Sequence, residues 1–193
     1  MNILAIETSC DDTALSIVRC EGDLNNPSFE VLENIVSSQV NVHRPFGGVV
    51  PHLAKREHVK NLPLLAEQIR LMGTLIDAVA VTVGPGLSPA LWAGITFASE
   101  LASELGVELL GANHLEGHMY SILLPKKEES ASFNFQDMFP SIGLIVSGGH
   151  TILVRMDSLS SWEKLGETRD DAVGEAFDKV AKMVGLHTLV GQR

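Results

Sequence analysis

No stretch of this 193-residue chain reaches the roughly 18 consecutive apolar residues that a membrane-spanning helix requires, which excludes a helical membrane protein. Cysteine is scarce. Cys10 and Cys20 are too few for a disulfide framework, and with no basic pattern beside them both read as inert thiols. A basic amino-terminal leader is lacking too: the chain starts Met1-Asn2-Ile3-Leu4-Ala5-Ile6-Glu7, which is no secretory signal, so a cytoplasmic location is expected. Cations are outnumbered, 14 Lys and Arg against 24 Asp and Glu, for a formal net charge of −10. A protein that grips nucleic acid with its own surface ordinarily shows a basic stripe, because phosphate contacts and counterion release supply most of the affinity. No such stripe is expected here, and a nucleic-acid role would need a local patch, a partner or sequence outside this chain. What the chain does have is 45% apolar and 20% charged residues, the balance of a globular protein with a real core. Its length suits one large domain or two small ones.

Apolar runs and turn signals predict an α/β chain. Strands at Ile3 to Ile6 and Ala14 to Val18 flank the polar turn Thr8 to Thr13 and read as a hairpin, with a third strand around Val31 to Val40. A helix is expected from His52 to about Met72, kinked or split at Pro63. A buried strand follows at Asp77 to Val83, then a helix to Leu105 with Ser88 as N-cap and Pro89 at its first position, and a strand at Val107 to Gly111. Residues 126–140 are expected to be a linker or loop. Beyond them the scheme restarts: strand Ile142 to Val146, a tight turn, strand Thr151 to Arg155, a short strand near Trp162 to Leu165, and a helix from about Asp171 to Val184. Strands alternating with helices imply a mostly parallel sheet that opens with an antiparallel hairpin.

Chemistry is concentrated in a few motifs. In His114-Leu115-Glu116-Gly117-His118 two histidines at i and i+4 share one helix face and lie close enough to share a metal. The glutamate is displaced by one position from the zincin arrangement, and two ligands alone do not hold a catalytic metal, so a pair of surface histidines is an equal reading. Ser147-Gly148-Gly149-His150 is either an ordinary hairpin turn or a backbone nest for an anion. Gly84-Pro85-Gly86 precedes a helix but lacks the lysine of a P-loop. Asp11 and Asp12 sit in the first turn as turn formers or metal–phosphate ligands. Glu175 and Asp178 are each spaced i, i+4 from a lysine, Lys179 and Lys182, a structural pairing in itself.

Taken in order, six motifs resemble one family: Ile6-Glu7-Thr8-Ser9-Cys10-Asp11-Asp12-Thr13, Gly47-Gly48-Val49-Val50-Pro51, Gly84-Pro85-Gly86-Leu87, His114-Leu115-Glu116-Gly117-His118, Val146-Ser147-Gly148-Gly149-His150-Thr151 and Gly174-Glu175-Ala176-Phe177-Asp178-Lys179. The chain resembles, from Met1 to about Leu186, the TsaD/Gcp family, once called O-sialoglycoprotein endopeptidase and now tRNA N6-adenosine threonylcarbamoyltransferase. The resemblance implies an actin-like ATPase (ASKHA) fold of duplicated RNase-H-like lobes. The first lobe would occupy residues 1–125, and residues 141–193 would be part of a second, incomplete one. It implies transfer of the threonylcarbamoyl group from threonylcarbamoyl-adenylate to N6 of the tRNA adenosine beside the anticodon. His114 and His118 would hold a divalent metal, iron or zinc. Ile145, Val146, Ser147, Gly148 and Gly149 would line the substrate and Asp178 would contact its ribose, with Asp11 and Glu175 as catalytic candidates. The implied partners are tRNA, reached through a complex with a smaller TsaB-like paralogue and a TsaE-like ATPase, with no membrane involved.

The family continues after the last helix with a Gly-Tyr-Pro-Gly-Gly-Pro type segment, whereas here the sequence reads Gly185-Leu186-His187 and on to Arg193. The third metal ligand, an aspartate, and an asparagine at the substrate belong to the part that follows. A truncated form is therefore expected, with apolar faces uncovered and a tendency to pair or precipitate. The alternatives are a non-catalytic truncated paralogue that binds or dimerises and, less favoured, a metallopeptidase.

Overall fold

In a computed structural model of the chain, residues 1–23, 27–124 and 135–186 are described. The backbone divides into two compact units, Met1–Glu21 with Ser28–Ser130, and Gly22–Pro27 with Ala131–Arg193. Most of the expected linker at 126–140 lies outside the described residues; a 3-10 turn at Phe135–Met138 is the first described piece of the second unit after it.

The first unit holds β1 (Asn2–Glu7), β2 (Asp12–Gly22), β3 (Pro27–Ser38), α1 (Val40–His43), α2 (Pro51–Leu71), β4 (Ala78–Gly84), α3 (Ser88–Leu105), β5 (Glu108–Asn113) and α4 (His114–Tyr120). Its five-stranded sheet has the order β3-β2-β1-β4-β5. β1 runs antiparallel to β2 and parallel to β4, which is parallel to β5. β2 and β3 are joined by too few residues for a parallel crossover, so they form a hairpin. This strand order agrees with the RNase-H-like lobe that the family resemblance implies. Alternation dictates which face is buried: Leu4 and Ile6 of β1 and Leu15 and Ile17 of β2 turn inward and pack with Leu62 and Leu65 of α2 and Leu101 of α3.

One consequence of these directions positions the site. With β1, β3, β4 and β5 all running the same way, their carboxyl-terminal ends lie at one end of the sheet. Glu7, the segment after Ser38, Gly84 and His114 are all delivered there.

The second unit repeats the opening of the first. β6 (Ser141–Val146), β7 (Thr151–Ser158) and β8 (Ser161–Glu167) form an antiparallel meander in that order, followed by α5 (Val173–Met183). Ile145, Ile152, Val154 and Met156 are buried, while Ile142 and Leu144 on the opposite face are 62% and 65% exposed.

Three expectations are corrected. α2 runs unbroken through Pro63, because Pro63 and Val59 both lie on its exposed side, where water can take the carbonyl that the proline ring leaves unbonded. Ser88 is the first helical residue of α3 rather than its cap; Leu87 precedes it and no side chain caps that end. The third strand starts earlier than expected, at Pro27, and ends at Ser38. No helix among the described residues is long and apolar enough to cross a membrane.

α3 reaches the end of β1 because Gly94 has no side chain. A Cβ there would lie 2.2 Å from the hydroxyl of Thr8, which is fully buried and donates to the Ala90 carbonyl at 3.0 Å. Gly94→Ala should therefore lower stability by about 3 kcal/mol through overpacking, despite alanine's better helix propensity. The denaturant midpoint is the readout, and an unchanged midpoint would mean Thr8 is not held in place.

Candidate functional site

At the shared end of the first sheet, the Glu7 carboxylate collects three elements. Oε1 accepts the backbone N–H of Ser9 at 2.5 Å, Oε2 accepts the hydroxyl of Thr82 at 2.6 Å, and Oε2 lies 3.2 Å from Nδ1 of His114. Burial would raise the Glu7 pKa, but the hydrogen bonds from His114, Ser9 and Thr82 together outweigh it and hold the group at about 2. An ionised carboxylate only accepts, so His114 carries its proton on Nδ1 and presents Nε2 as an acceptor, 3.1 Å from Nε2 of His118. The hydroxyl of Ser9 stands 3.2 Å from the same Nδ1.

α4 then aims that lone pair. The side chain of Asn113 caps the helix, accepting from the N–H groups of Leu115 and Glu116 at 2.9 and 3.3 Å. His114 and His118 follow on one face with their Nε2 atoms 3.1 Å apart and their rings edge to face. Two imidazoles on one tetrahedral metal, with bonds of about 2.0–2.1 Å, place their nitrogens about 3.3 Å apart. The pair therefore fits as two ligands of one ion, and the Glu7–His114 contact is the carboxylate–histidine support such ligands have. No group of three His, Cys, Asp or Glu suited to a metal is found among the described residues. Glu7, Thr82, Asn113, His114 and His118 border a cleft of about 350 Å³.

Beside it, the Cys10–Asp12 turn is held from below by a buried relay. The N–H of Val50 donates to Nδ1 of His43 at 3.3 Å, so Nε2 of His43 donates to Oε1 of Gln39 at 3.0 Å. The amide of Gln39 and the hydroxyl of Thr13 approach Nδ1 of His58 at 3.3 and 2.8 Å, and Nε2 of His58 donates to the Cys10 carbonyl at 3.0 Å. Both histidines are fully buried and neutral in this pattern, and burial pushes the His58 pKa down. The N–H of Gln39 also donates to the Asp11 carbonyl at 3.0 Å. Above this scaffold, Oδ2 of Asp11 and Oδ1 of Asp12 are buried with no hydrogen-bond partner among the described residues. Lost hydration, followed by the charges of Asp11, Asp12 and Glu7, pushes the Cys10 thiol up to about 12, in keeping with an inert cysteine.

In the second unit, Ser147-Gly148-Gly149 turns between β6 and β7. The N–H of Ser147 donates to the His150 carbonyl at 2.8 Å, and its hydroxyl accepts the His150 N–H at 3.0 Å. α5 abuts this turn at Gly174, whose N–H donates to the Ser147 carbonyl at 3.2 Å. A Cβ on Gly174 would meet that carbonyl at 2.7 Å and the Gly148 backbone at 2.8 Å, so only glycine permits the approach. Ile145 is buried and offers a ligand only its backbone; Val146 is exposed. Asp178, one turn on from Gly174, shares its helix face. Glu175 is exposed and pairs with Lys179 at 3.2 Å, as the spacing predicts, and Lys179 also pairs with Asp171.

The residues singled out in the sequence thus fall into two sets. Asp11, His114 and His118 belong to the first unit, and Ile145 to Gly149, Glu175 and Asp178 to the second. Sequence reasoning missed Glu7 as a site residue, Asn113 as a cap and the entire Gln39–His43–His58 relay. The one signal for Glu7 was an acid closing an apolar strand.

The family model described as TsaD, tRNA N6-adenosine threonylcarbamoyltransferase, matches residues 30–192. The chain is 47% identical over 188 residues to the protein of that name from Syntrophomonas wolfei, covering 95% of this chain and 51% of that protein. It is 47% identical over 191 residues to the one from Dichelobacter nodosus, with 96% and 51% covered. The chain spans about half the length of these curated relatives. Among solved structures it is similar to YeaZ from Pseudomonas aeruginosa, with 17% identity, 87% of this chain and 68% of that chain covered, and a TM-score of 0.46.

Glu7 gives the fold an acid limit. Its folded pKa of about 2 lies below the ordinary 4.5, so its stabilisation is present above pH 4.5 and is lost as pH falls toward 2. Glu7→Gln should flatten the fall in stability over that window, measured by urea titration at successive pH values. An unaltered slope would place the acid sensitivity elsewhere.

Proposed function

The chain belongs to the TsaD family, tRNA N6-adenosine threonylcarbamoyltransferase, and from that premise we propose that it carries the metal side and the phosphate side of that reaction. The substrates in this reading are threonylcarbamoyl-adenylate and tRNA, with the acyl group moving to N6 of the adenosine beside the anticodon. The observation that carries it is the His114–His118 pair, its nitrogens converging at 3.1 Å under the control of Glu7.

The two imidazoles would hold a divalent ion, iron or zinc, with a third ligand from the part of the relatives that this chain does not span. When bound, such an ion supplies Lewis-acid polarisation of the carbamoyl carbonyl. Glu7 keeps the His114 proton on Nδ1 so that Nε2 stays available. The amides of Gly148 and Gly149, with the amino-terminal turn of α5 behind them, offer donors to the adenylate phosphate. Asp178 suits the ribose hydroxyls, and Glu175 stands in the same helical turn on the nucleotide side. In the transfer the N6 nitrogen bonds the acyl carbon, the acyl–phosphate C–O bond breaks, and adenylate leaves with the electron pair. N6 must then lose a proton, and Asp11, whose buried Oδ2 has no hydrogen-bond partner among the described residues, is the proposed acceptor. Adenylate is already a good leaving group, so no covalent intermediate on the protein is needed. A TsaB-like paralogue and a TsaE-like ATPase complete the working assembly in this reading. A metallopeptidase is not favoured, since Glu116 does not occupy the zincin base position.

The test is modification itself. The chain, extended by the carboxyl-terminal half of a relative and supplied with partner proteins, threonylcarbamoyl-adenylate and unmodified tRNA, should form threonylcarbamoyladenosine detectable by mass spectrometry. His118→Ala should lower product at least 100-fold and reduce bound metal in the same samples. Peptide hydrolysis that depends on His114, with no modified nucleoside, would overturn the assignment.

A further inference from the structure

Three successive carbonyls of the first turn are each held by a different element. The Ser9 carbonyl accepts the N–H of Leu87, from the loop before α3, at 2.8 Å. The Cys10 carbonyl accepts Nε2–H of His58, from α2, at 3.0 Å. The Asp11 carbonyl accepts the N–H of Gln39, from the segment after β3, at 3.0 Å. The last two carbonyls flank the Asp11 Cα. Each peptide unit is planar, so pinning the planes on either side of that Cα fixes both of its soft dihedrals, and with them the direction in which the carboxylate leaves the chain. Two of these three donors are backbone groups, which almost any residue would supply. His58 is the side chain among them, and so the donor that depends on residue identity.

His58 serves in one state alone. Nε2 donates to Cys10 in the neutral ring whose Nδ1 is bare, and its hydrogen-bond neighbours enforce that tautomer. The Thr13 hydroxyl lies 2.8 Å from Nδ1 and the amide nitrogen of Gln39 3.3 Å from it, both as donors. Gln39 has no freedom to present its oxygen there instead. Its Oε1 accepts Nε2–H of His43 at 3.0 Å, and its nitrogen also donates to the Ala54 carbonyl at 3.4 Å. Thr13, His43 and His58 are 0% exposed and Gln39 1%. Stability does not call for such an arrangement, because apolar side chains of the same shape can fill a core equally well. Polar groups gain over them in fixing one geometry, and the geometry fixed here is that of a turn whose Asp11 Oδ2 is buried with no hydrogen-bond partner among the described residues.

We propose that His58 is a positioning residue for the acyl transfer: by donating to the Cys10 carbonyl, in the tautomer that Gln39 and Thr13 impose, it holds the Asp11 carboxylate where the N6 proton is released. This inference rests on the transferase reading above, in which Asp11 takes that proton. His58 is fully buried and touches no substrate, so it acts through the backbone of the turn. Displacing a reacting group by about 1 Å costs on the order of 10²-fold in rate, and the loss falls on kcat when ground-state binding is untouched.

The two ring nitrogens are separated by substitution. In His58→Gln the side-chain amide reaches as far as Nε2 and still donates to Cys10. In His58→Asn the shorter side chain ends near the place of Nδ1 and meets Gln39 and Thr13 only. With the extended chain, partner proteins, threonylcarbamoyl-adenylate and unmodified tRNA, His58→Asn should lower kcat about 100-fold with KM for the adenylate within about twofold, whereas His58→Gln should lose less than about fivefold. Hydrogen exchange reads the turn directly in the 193-residue chain. The Gln39 amide, which donates to Asp11, should exchange at least about tenfold faster in His58→Asn and near the wild-type rate in His58→Gln. If circular dichroism shows that His58→Asn does not fold, Thr13→Val replaces it; loss of that donor to Nδ1 should lower kcat about tenfold with KM unchanged. Equal kcat in His58→Asn and His58→Gln, a loss carried by KM, an unchanged Gln39 exchange rate in His58→Asn, or wild-type kcat in Thr13→Val would overturn the positioning role and leave the transferase reading intact. An extended wild-type chain that forms no modified nucleoside would overturn the transferase reading, and the positioning role with it.

Discussion

The carboxylate of Glu7 is the contact on which the site end of the first unit depends. It takes one hydrogen bond from its own loop, one from β4 and one from the histidine that opens α4, so a single side chain registers three segments that are remote in sequence. Hydrogen bonds to an ionised acceptor are the stronger kind. The low pKa of Glu7 is the thermodynamic image of that arrangement: the folded state is built around the charge, and removing it by protonation or substitution loosens all three partners. The same charge decides a tautomer. By holding the proton on Nδ1, Glu7 converts His114 from a surface imidazole into a directed donor whose lone pair faces His118.

The Asp11 turn is positioned by a different strategy. Here the supporting groups are neutral and wholly buried, and every polar atom that points into the core finds a partner in the chain from Val50 through His43, Gln39 and His58 to the Cys10 carbonyl. A satisfied buried network of this kind specifies one geometry, because any rotation leaves a donor or acceptor without a partner in a low dielectric. Oδ2 of Asp11 and Oδ1 of Asp12, which have no hydrogen-bond partner among the described residues, lie at its end, in the turn itself. Rigid support below and unmet bonding capacity above is the arrangement expected where a reacting group, rather than the protein, completes the hydrogen bonding. The second unit uses backbone alone to comparable effect, with Gly174 letting a helix start lie directly against the Ser147–Gly149 turn.

The amino-acid sequence by itself determined the elements and the pieces of the site. Alternation marked the strands, Gly106 closed α3, and the i, i+4 histidines put both rings on one helix face before any tertiary contact was considered. These are local properties, set by a residue and its near neighbours. Tertiary structure decided everything that depends on separation along the chain. Glu7 meets His114 across 107 positions and Thr82 across 75, so nothing in the first strand announces a histidine partner. His43 and His58 look like ordinary polar residues of an exposed segment until α1 and α2 close over Gln39. Whether Pro63 breaks a helix depended on which face meets water. The physical reason is the same throughout: propensity and periodicity act within a turn or a strand, while hydrogen-bond satisfaction, burial and electric field are properties of which surfaces the fold brings together.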